Sequence, residues 1–198
     1  MNKKVRFSNL IRFFILPLIL IGCSSEKGIS LEKIDIITEG SVNIHFQNQS
    51  KYSGRIYKKS SKNILILEFN TKDGLYNGIY KEYFEDGILR RESNYYLGVL
   101  QGRERRFFKN GKLLEDVNYN LGNLNGVRNV YWNNGMMKEV NNFENGILVG
   151  ESTYFYSNGK LRKTISFDKQ GRKDGLWISY DSDGKITKQS EFDKGKIK

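Results

Sequence analysis

Alanine is absent from all 198 residues, proline occurs once, and cysteine and histidine occur once each. Alanine is the best helix former, so a chain this long without it argues against a helical protein. A single cysteine excludes a disulfide framework, and one cysteine with one histidine excludes Cys/His zinc sites and Cys–His dyads. What is abundant points the other way. Aromatics make up 13% of the chain and glycine contributes 20 residues, a composition suited to strands joined by tight turns.

The formal charge is +11, from 33 Lys and Arg against 22 Asp and Glu. Part of that excess sits in the N-terminal leader, where Lys3, Lys4, Arg6 and Arg12 have no acidic neighbour and precede the apolar run Phe13–Ile21. Nine apolar residues are too few to span a bilayer, which takes about 20 as a helix, and suit the hydrophobic region of a signal peptide. The run ends in Leu20-Ile21-Gly22-Cys23, which resembles the lipobox of bacterial lipoproteins. That resemblance implies cleavage after Gly22, a diacylglyceryl thioether on Cys23, and an extracytoplasmic protein held at the cell envelope. Without residues 1–22 the charge falls to +7, modest and dispersed, so no nucleic-acid partner is expected.

From residue 74 onward the glycines fall on a grid. One series is Gly74, Gly98, Gly122, Gly146, Gly171 and Gly195; a second is Gly78, Gly102, Gly126, Gly150 and Gly175; a third is Gly87, Gly111, Gly135, Gly159 and Gly184. The step is 24 residues, with a single step of 25 between the fourth and fifth units, and a fixed period of this size marks a repeat architecture. Each glycine of the third series follows Asp86, Asn110, Asn134, Asn158 or Asp183. Asp-Gly and Asn-Gly between strand-like segments predict five β-hairpins with type I′ turns.

The flanking residues keep the same register. Tyr83, Phe107, Tyr131, Phe155 and Tyr180 lie four before the turn glycine, followed by Phe84, Phe108, Trp132 and Tyr156, then a break at Asp181. Leu89, Leu113, Met137, Leu161 and Ile186 lie two after it; Tyr95, Tyr119, Phe143, Phe167 and Phe192 lie eight after it. The last two sets differ by an even offset and share a strand face. Between the first and second glycines come Tyr76, Leu100, Leu124 and Leu148, then Lys173 in the last unit. This layout resembles the bacterial variant of the MORN repeat, G-x-x-x-G-x-x-x-x-Y/F-Y/F-x-N-G-x-L. The resemblance implies an all-β fold, an elongated single-layer antiparallel sheet of tandem hairpins. It also brings the description "antitoxin component", which implies binding a toxin protein and sits awkwardly with an export signal.

The expected organisation is a signal peptide over 1–22, a flexible tether over 23–33, capping strands or a degenerate repeat over 34–73, and five repeats with a short tail over 74–198. The degenerate reading rests on Gly54 and Glu68, each 24 residues before Gly78 and Glu92, and Lys58, Lys59 and Lys62 are expected to blunt the first edge. His45, in the alternating segment Val42–Phe46, is expected on the solvated face. The register Arg91, Glu115, Glu139, Lys163, Lys188 reads as cross-strand charge pairing on an exposed face. Arg103, Arg105, Arg106, Lys109 and Lys112 read as a solvated hairpin face rather than an anion patch. No acid, base and nucleophile assemble into a catalytic set, and no cofactor, metal or small-molecule substrate is expected. The chain reads as a binding module for a protein partner, the other reading being an envelope protein contacting the membrane surface or peptidoglycan.

Overall fold

The computed structural model describes residues 28–198. The leader and Cys23 lie outside the described residues. The fold is all-β, as the repeat grid implies. Fifteen strands between Ile29 and Ile197 form one open sheet in which neighbours in space are almost always neighbours in sequence. All its pairings are antiparallel except one, the short strand Ile29–Ser30 lying parallel to Gly54–Lys59. A separate three-stranded sheet, Asp35–Glu39, Val42–Gln47 and Ser50–Lys51, sits at the N-terminal end.

All five expected hairpins are present, but their turns are of a different type. Gly87 N–H donates to Phe84 O at 2.8 Å and Phe84 N–H to Ile88 O at 2.8 Å. Only Gly87, at φ 85°, has positive φ; Asp86 does not. This is a three-residue loop, a type I turn closed by a glycine bulge. The Asp or Asn is selected for its side chain, since Asp86, Asn110, Asn134 and Asn158 each accept the N–H two residues on. The two-residue turns lie at the opposite edge, on the first glycine series. Leu97-Gly98, Leu121-Gly122, Asn145-Gly146 and Lys194-Gly195 have positive φ at both positions, as type I′ requires.

That edge also carries a hydrogen bond from each repeat to the one before it. Gly98 N–H donates to Tyr76 O, Gly122 to Leu100 O, Gly146 to Leu124 O and Gly195 to Lys173 O, at 2.7–2.9 Å. The 25-residue step falls here. One extra residue turns the loop after Phe167 into the three-residue type, and Gly171 N–H donates to Asp168 O inside its own turn. The second glycine series marks bulges: between Thr71↔Tyr76 and Phe69↔Tyr80, three residues of one strand face one of the other. Gly78 takes φ 91° there.

Residues 50–73 are a sixth, degenerate repeat. Tyr52 O accepts from Gly74 N–H as Tyr76 O does from Gly98, and the turn Ser60–Ile64 has the same two bonds as Phe84–Ile88 with Asn63, φ 62°, in place of the glycine. Its outer edge is covered rather than blunted by lysines. Residues 28–33, expected within the tether, instead form the strand Ile29–Ser30 and a 3-10 turn, Leu31–Lys33. These pack with Ile34 against Ile56, Phe69 and Tyr80, a cluster of buried apolar residues.

Candidate interaction face

Among the described residues the sheet has no second layer along most of its length, yet one row of residues running across it is buried or half-buried. Ile56 faces Phe69, Phe69 faces Tyr80, Tyr80 faces Ser93, Ser93 faces Glu104 and Glu104 faces Val117. The row resumes at Arg128 opposite Asn141 and continues through Ser152, Ile165, Trp177 and Ser190. These positions lie two after the second glycine and six after the third. Long side chains from flanking rows cover them. The Arg91 guanidinium stands 4.9 Å from the Tyr80 ring centre, and Lys173 Nζ stands 4.3 Å from that of Trp177.

Position by position, this inner row holds Tyr80, Glu104, Arg128, Ser152 and Trp177, so it never reads as a ladder of like residues. Sequence reasoning missed it for that reason. The spacing was the available signal, because a position held at constant distance from two glycine series must keep a constant place in the strand.

Glu104 is buried, accepts from Ser93 Oγ at 2.7 Å and pairs with Arg106 at 2.8 Å. Arg106 also reaches Glu115 at 3.3 Å, and Arg128 bridges Glu115 at 2.6 Å and Glu139 at 3.4 Å. Glu82 pairs with Arg91 at 3.0 Å and accepts from Tyr80 Oη at 2.8 Å. Burial pushes the Tyr80 phenol pKa upward, and its bond to Glu82 adds to the rise. Asn141 fits with its amide nitrogen on Ser152 Oγ at 3.0 Å and its oxygen on Arg128 Nη1 at 3.3 Å. The charge register therefore pairs across strands as expected over its first three members, Arg91, Glu115 and Glu139, but on half-buried side chains rather than an exposed face. Glu115 and Glu139 are bridged by Arg128. Lys163 and Lys188, the last two members, have no carboxylate partner among the described residues.

The five cations of the second repeat do not gather into a patch. Arg103 and Arg105 lie on the outer face, with Asp116 at 2.5 Å and Glu92 at 2.6 Å. Arg106 is on the inner face, Lys109 lies 3.5 Å from Asp86, and Lys112 Nζ donates to Asn134 O at 2.8 Å. On the outer face Glu68 accepts from Tyr83 Oη at 2.6 Å and from Arg55. Burial alone would raise the Glu68 carboxyl, but these two partners outweigh it and hold it below its ordinary value.

His45 departs from the solvated position expected for it. It is fully buried, with its ring 5.2 Å from Phe69 and 4.9 Å from Tyr76 between centres. Alternation does turn it away from Ile44, but a second sheet lies on that side. Nδ1 bonds Gly74 O at 2.8 Å; a carbonyl can only accept, so Nδ1 carries the proton. Nε2 is buried without a partner. Burial pulls the imidazole pKa down, against the Gly74 bond, which raises it. His45 N–H also donates to Gly74 O, and a Cβ on Gly74 would stand 2.7 Å from Ile44 Cγ2. The histidine is thus the latch between the N-terminal sheet and the first two-residue turn.

Among the described residues no group of three or more His, Cys, Asp or Glu side chains could hold a metal ion, and no helix is long and apolar enough to cross a membrane. Compared with known families, residues 76–95, 100–121, 148–169 and 173–194 match the MORN repeat variant. The repeat at 122–145 lies outside the matched segments yet has the same two turns. No curated protein matches the chain.

Proposed function

We propose that this chain of MORN-variant repeats is a non-enzymatic protein-binding module, anchored at a membrane by lipid on Cys23, with the inner face of the sheet as its recognition surface. The observation that carries the reading is a long sheet face without a covering layer among the described residues. Its arginines and glutamates are already held in fixed positions by one another and by the buried row beneath them. Side chains ordered in advance lose little further freedom when a partner docks. Repeat sheets present extended surfaces of this kind to other proteins. The description attached to the repeat variant makes a toxin protein one class of partner, although the leader at 1–22 directs this chain outward.

The test captures partners with the full chain from detergent-solubilised cells. A stoichiometric partner retained by the unaltered chain and by an outer-face variant, Thr164→Lys, but lost from Arg128→Glu, supports the reading. Equal retention by all three removes the inner face as the recognition surface. Membrane attachment is tested separately by Cys23→Ser, which should abolish incorporation of labelled fatty acid and release the protein from membranes.

A further inference from the structure

Along the inner face every carboxylate of the first repeats is matched by a guanidinium: Glu82 by Arg91, Glu104 and Glu115 by Arg106, Glu139 by Arg128. The matching stops at the fourth and fifth repeats. There the same face carries Lys163, Lys173 and Lys188, and the groove they line contains Trp177, Ser179, Ser190, Phe192 and Ile197 but no acid. One departure from the repeat pattern lies in it. Lys173 stands where Tyr76, Leu100, Leu124 and Leu148 precede it. The positions of Trp177 and Ser179 hold a different residue in every repeat.

The strand register places all three on one groove. Lys163 and Lys188 both face Ser179 in the ladder, one strand on either side, which sets their backbones about 9.6 Å apart, two strand spacings. Side chains of that length can close the gap onto one ligand. Lys173 lies across the buried row from them. Its ammonium is fixed over two rings, 4.3 Å from the centre of Trp177 and 5.1 Å from that of Phe192. Lys163 Nζ stands 4.6 Å from the ring centre of Tyr154 and has to swing from it to meet a ligand. Three lysines and two serine hydroxyls thus line one groove with no carboxylate among its lining residues.

We propose that this groove binds a ligand bearing two or more linked phosphate groups. Phosphate is favoured over carboxylate by the choice of cation. A guanidinium fork suits a planar carboxylate and is what this face uses for its own carboxylates, whereas lysine acts as a point charge with no planar preference and suits a tetrahedral anion. Linked groups are favoured because the three ammonium groups approach from opposite sides of the row. The site does not depend on the protein-binding reading of the remaining face.

Calorimetric titration of the full chain in a neutral detergent tests this with tripolyphosphate, orthophosphate, citrate and a poly(glycerol phosphate) oligomer as probes. Saturable one-to-one binding of tripolyphosphate is expected, tighter than that of orthophosphate or citrate. Losing one ammonium in Lys188→Gln should weaken it about tenfold, the scale of a charge-assisted hydrogen bond. The triple variant Lys163→Gln, Lys173→Gln, Lys188→Gln should lose it altogether. A control with equal charge removed elsewhere, Lys58→Gln, Lys59→Gln, Lys62→Gln, should bind as the unaltered chain does. Circular dichroism establishes that each variant is folded, and Lys188→Gln decides if the triple variant is not. Tighter binding of the phosphodiester oligomer points to a polymer as the natural source, and tighter binding of tripolyphosphate to a free oligophosphate. Absence of tripolyphosphate binding, an equal loss in the control, or preference for citrate overturns the proposal.

Discussion

The first and last repeats of the sheet share one backbone plan and differ in what covers it. At the N-terminal end, Phe69, Tyr76, Tyr80 and Tyr95 pack ring against ring at 4.9–5.8 Å, beneath Ile29, Leu31 and Ile34, and His45 pins a second sheet to the turn. At the C-terminal end, Trp177 and Phe192 repeat the aromatic contact at 4.8 Å, but lysine rather than apolar chain lies over them. A repeat protein takes its stability from neighbours, so the two ends should differ as a terminal repeat with a cap differs from one without.

The largest effect expected from this contrast is at Phe69, which is almost wholly buried. Phe69→Ala should cost about 3–5 kcal/mol in urea melts, as core phenylalanines do. Phe192→Ala, at the half-buried aromatic of the last repeat, should cost well under half of that. Equal losses would mean that the aromatic rows, not the cap, set stability.

Glycines sharpen the same contrast. Gly184→Ala places a Cβ where nothing lies within 4 Å, so only its φ of +94° is strained, and a loss of about 1 kcal/mol is expected. Gly74→Ala adds a collision with Ile44 and the His45 carbonyl, which should cost about 1–3 kcal/mol more, the scale of overpacking. Urea midpoints that coincide would show that the N-terminal sheet gives way without cost.

The latch has a pH signature. In the unfolded chain His45 protonates near 6.5, while burial delays this in the fold. Stability is therefore fully present above pH 6.5 and falls as the pH drops through that value toward the lowered folded pKa. Thermal melts at pH 7.5 and 5.5 should separate for the unaltered chain and converge for His45→Gln. His45→Ala should be destabilising even at pH 7.5, through the lost packing on Phe69 and Tyr76.

The smallest effect has the opposite sign. Leu121 holds φ 48° in a two-residue turn and is 74% exposed, a conformation that asparagine tolerates better. Leu121→Asn should raise stability by about 0.5 kcal/mol. No gain would point to packing of Leu121 that its exposure does not show.

The repeat, its period and its hairpins were legible in the sequence because glycine at positive φ is a local requirement that leaves a residue behind at every turn; the sixth unit, with Asn63 in place of its turn glycine, stayed one of two readings. Turn type was less legible. Asn-Gly satisfies a type I′ turn and a glycine bulge equally well, and only the hydrogen bonds of Phe84 and Gly87 tell them apart. The buried row was invisible as a chemical pattern, since packing there asks only that neighbours complement one another, as Ser93 complements Glu104. His45 was misplaced because alternation gives the side of a strand but not what lies on that side.

The one-residue insertion at Asp168–Arg172 has a mechanical consequence. Elsewhere along that edge, successive units are stitched by a glycine N–H reaching back to the preceding repeat; at Gly171 the stitch is turned inward. A tandem array behaves as a chain of coupled spins, and weakening one coupling fixes where a domain wall is cheapest. The fifth unit is therefore the segment that peels first, and hydrogen exchange should show its protection breaking at residue 168, not fading evenly toward the end of the sheet.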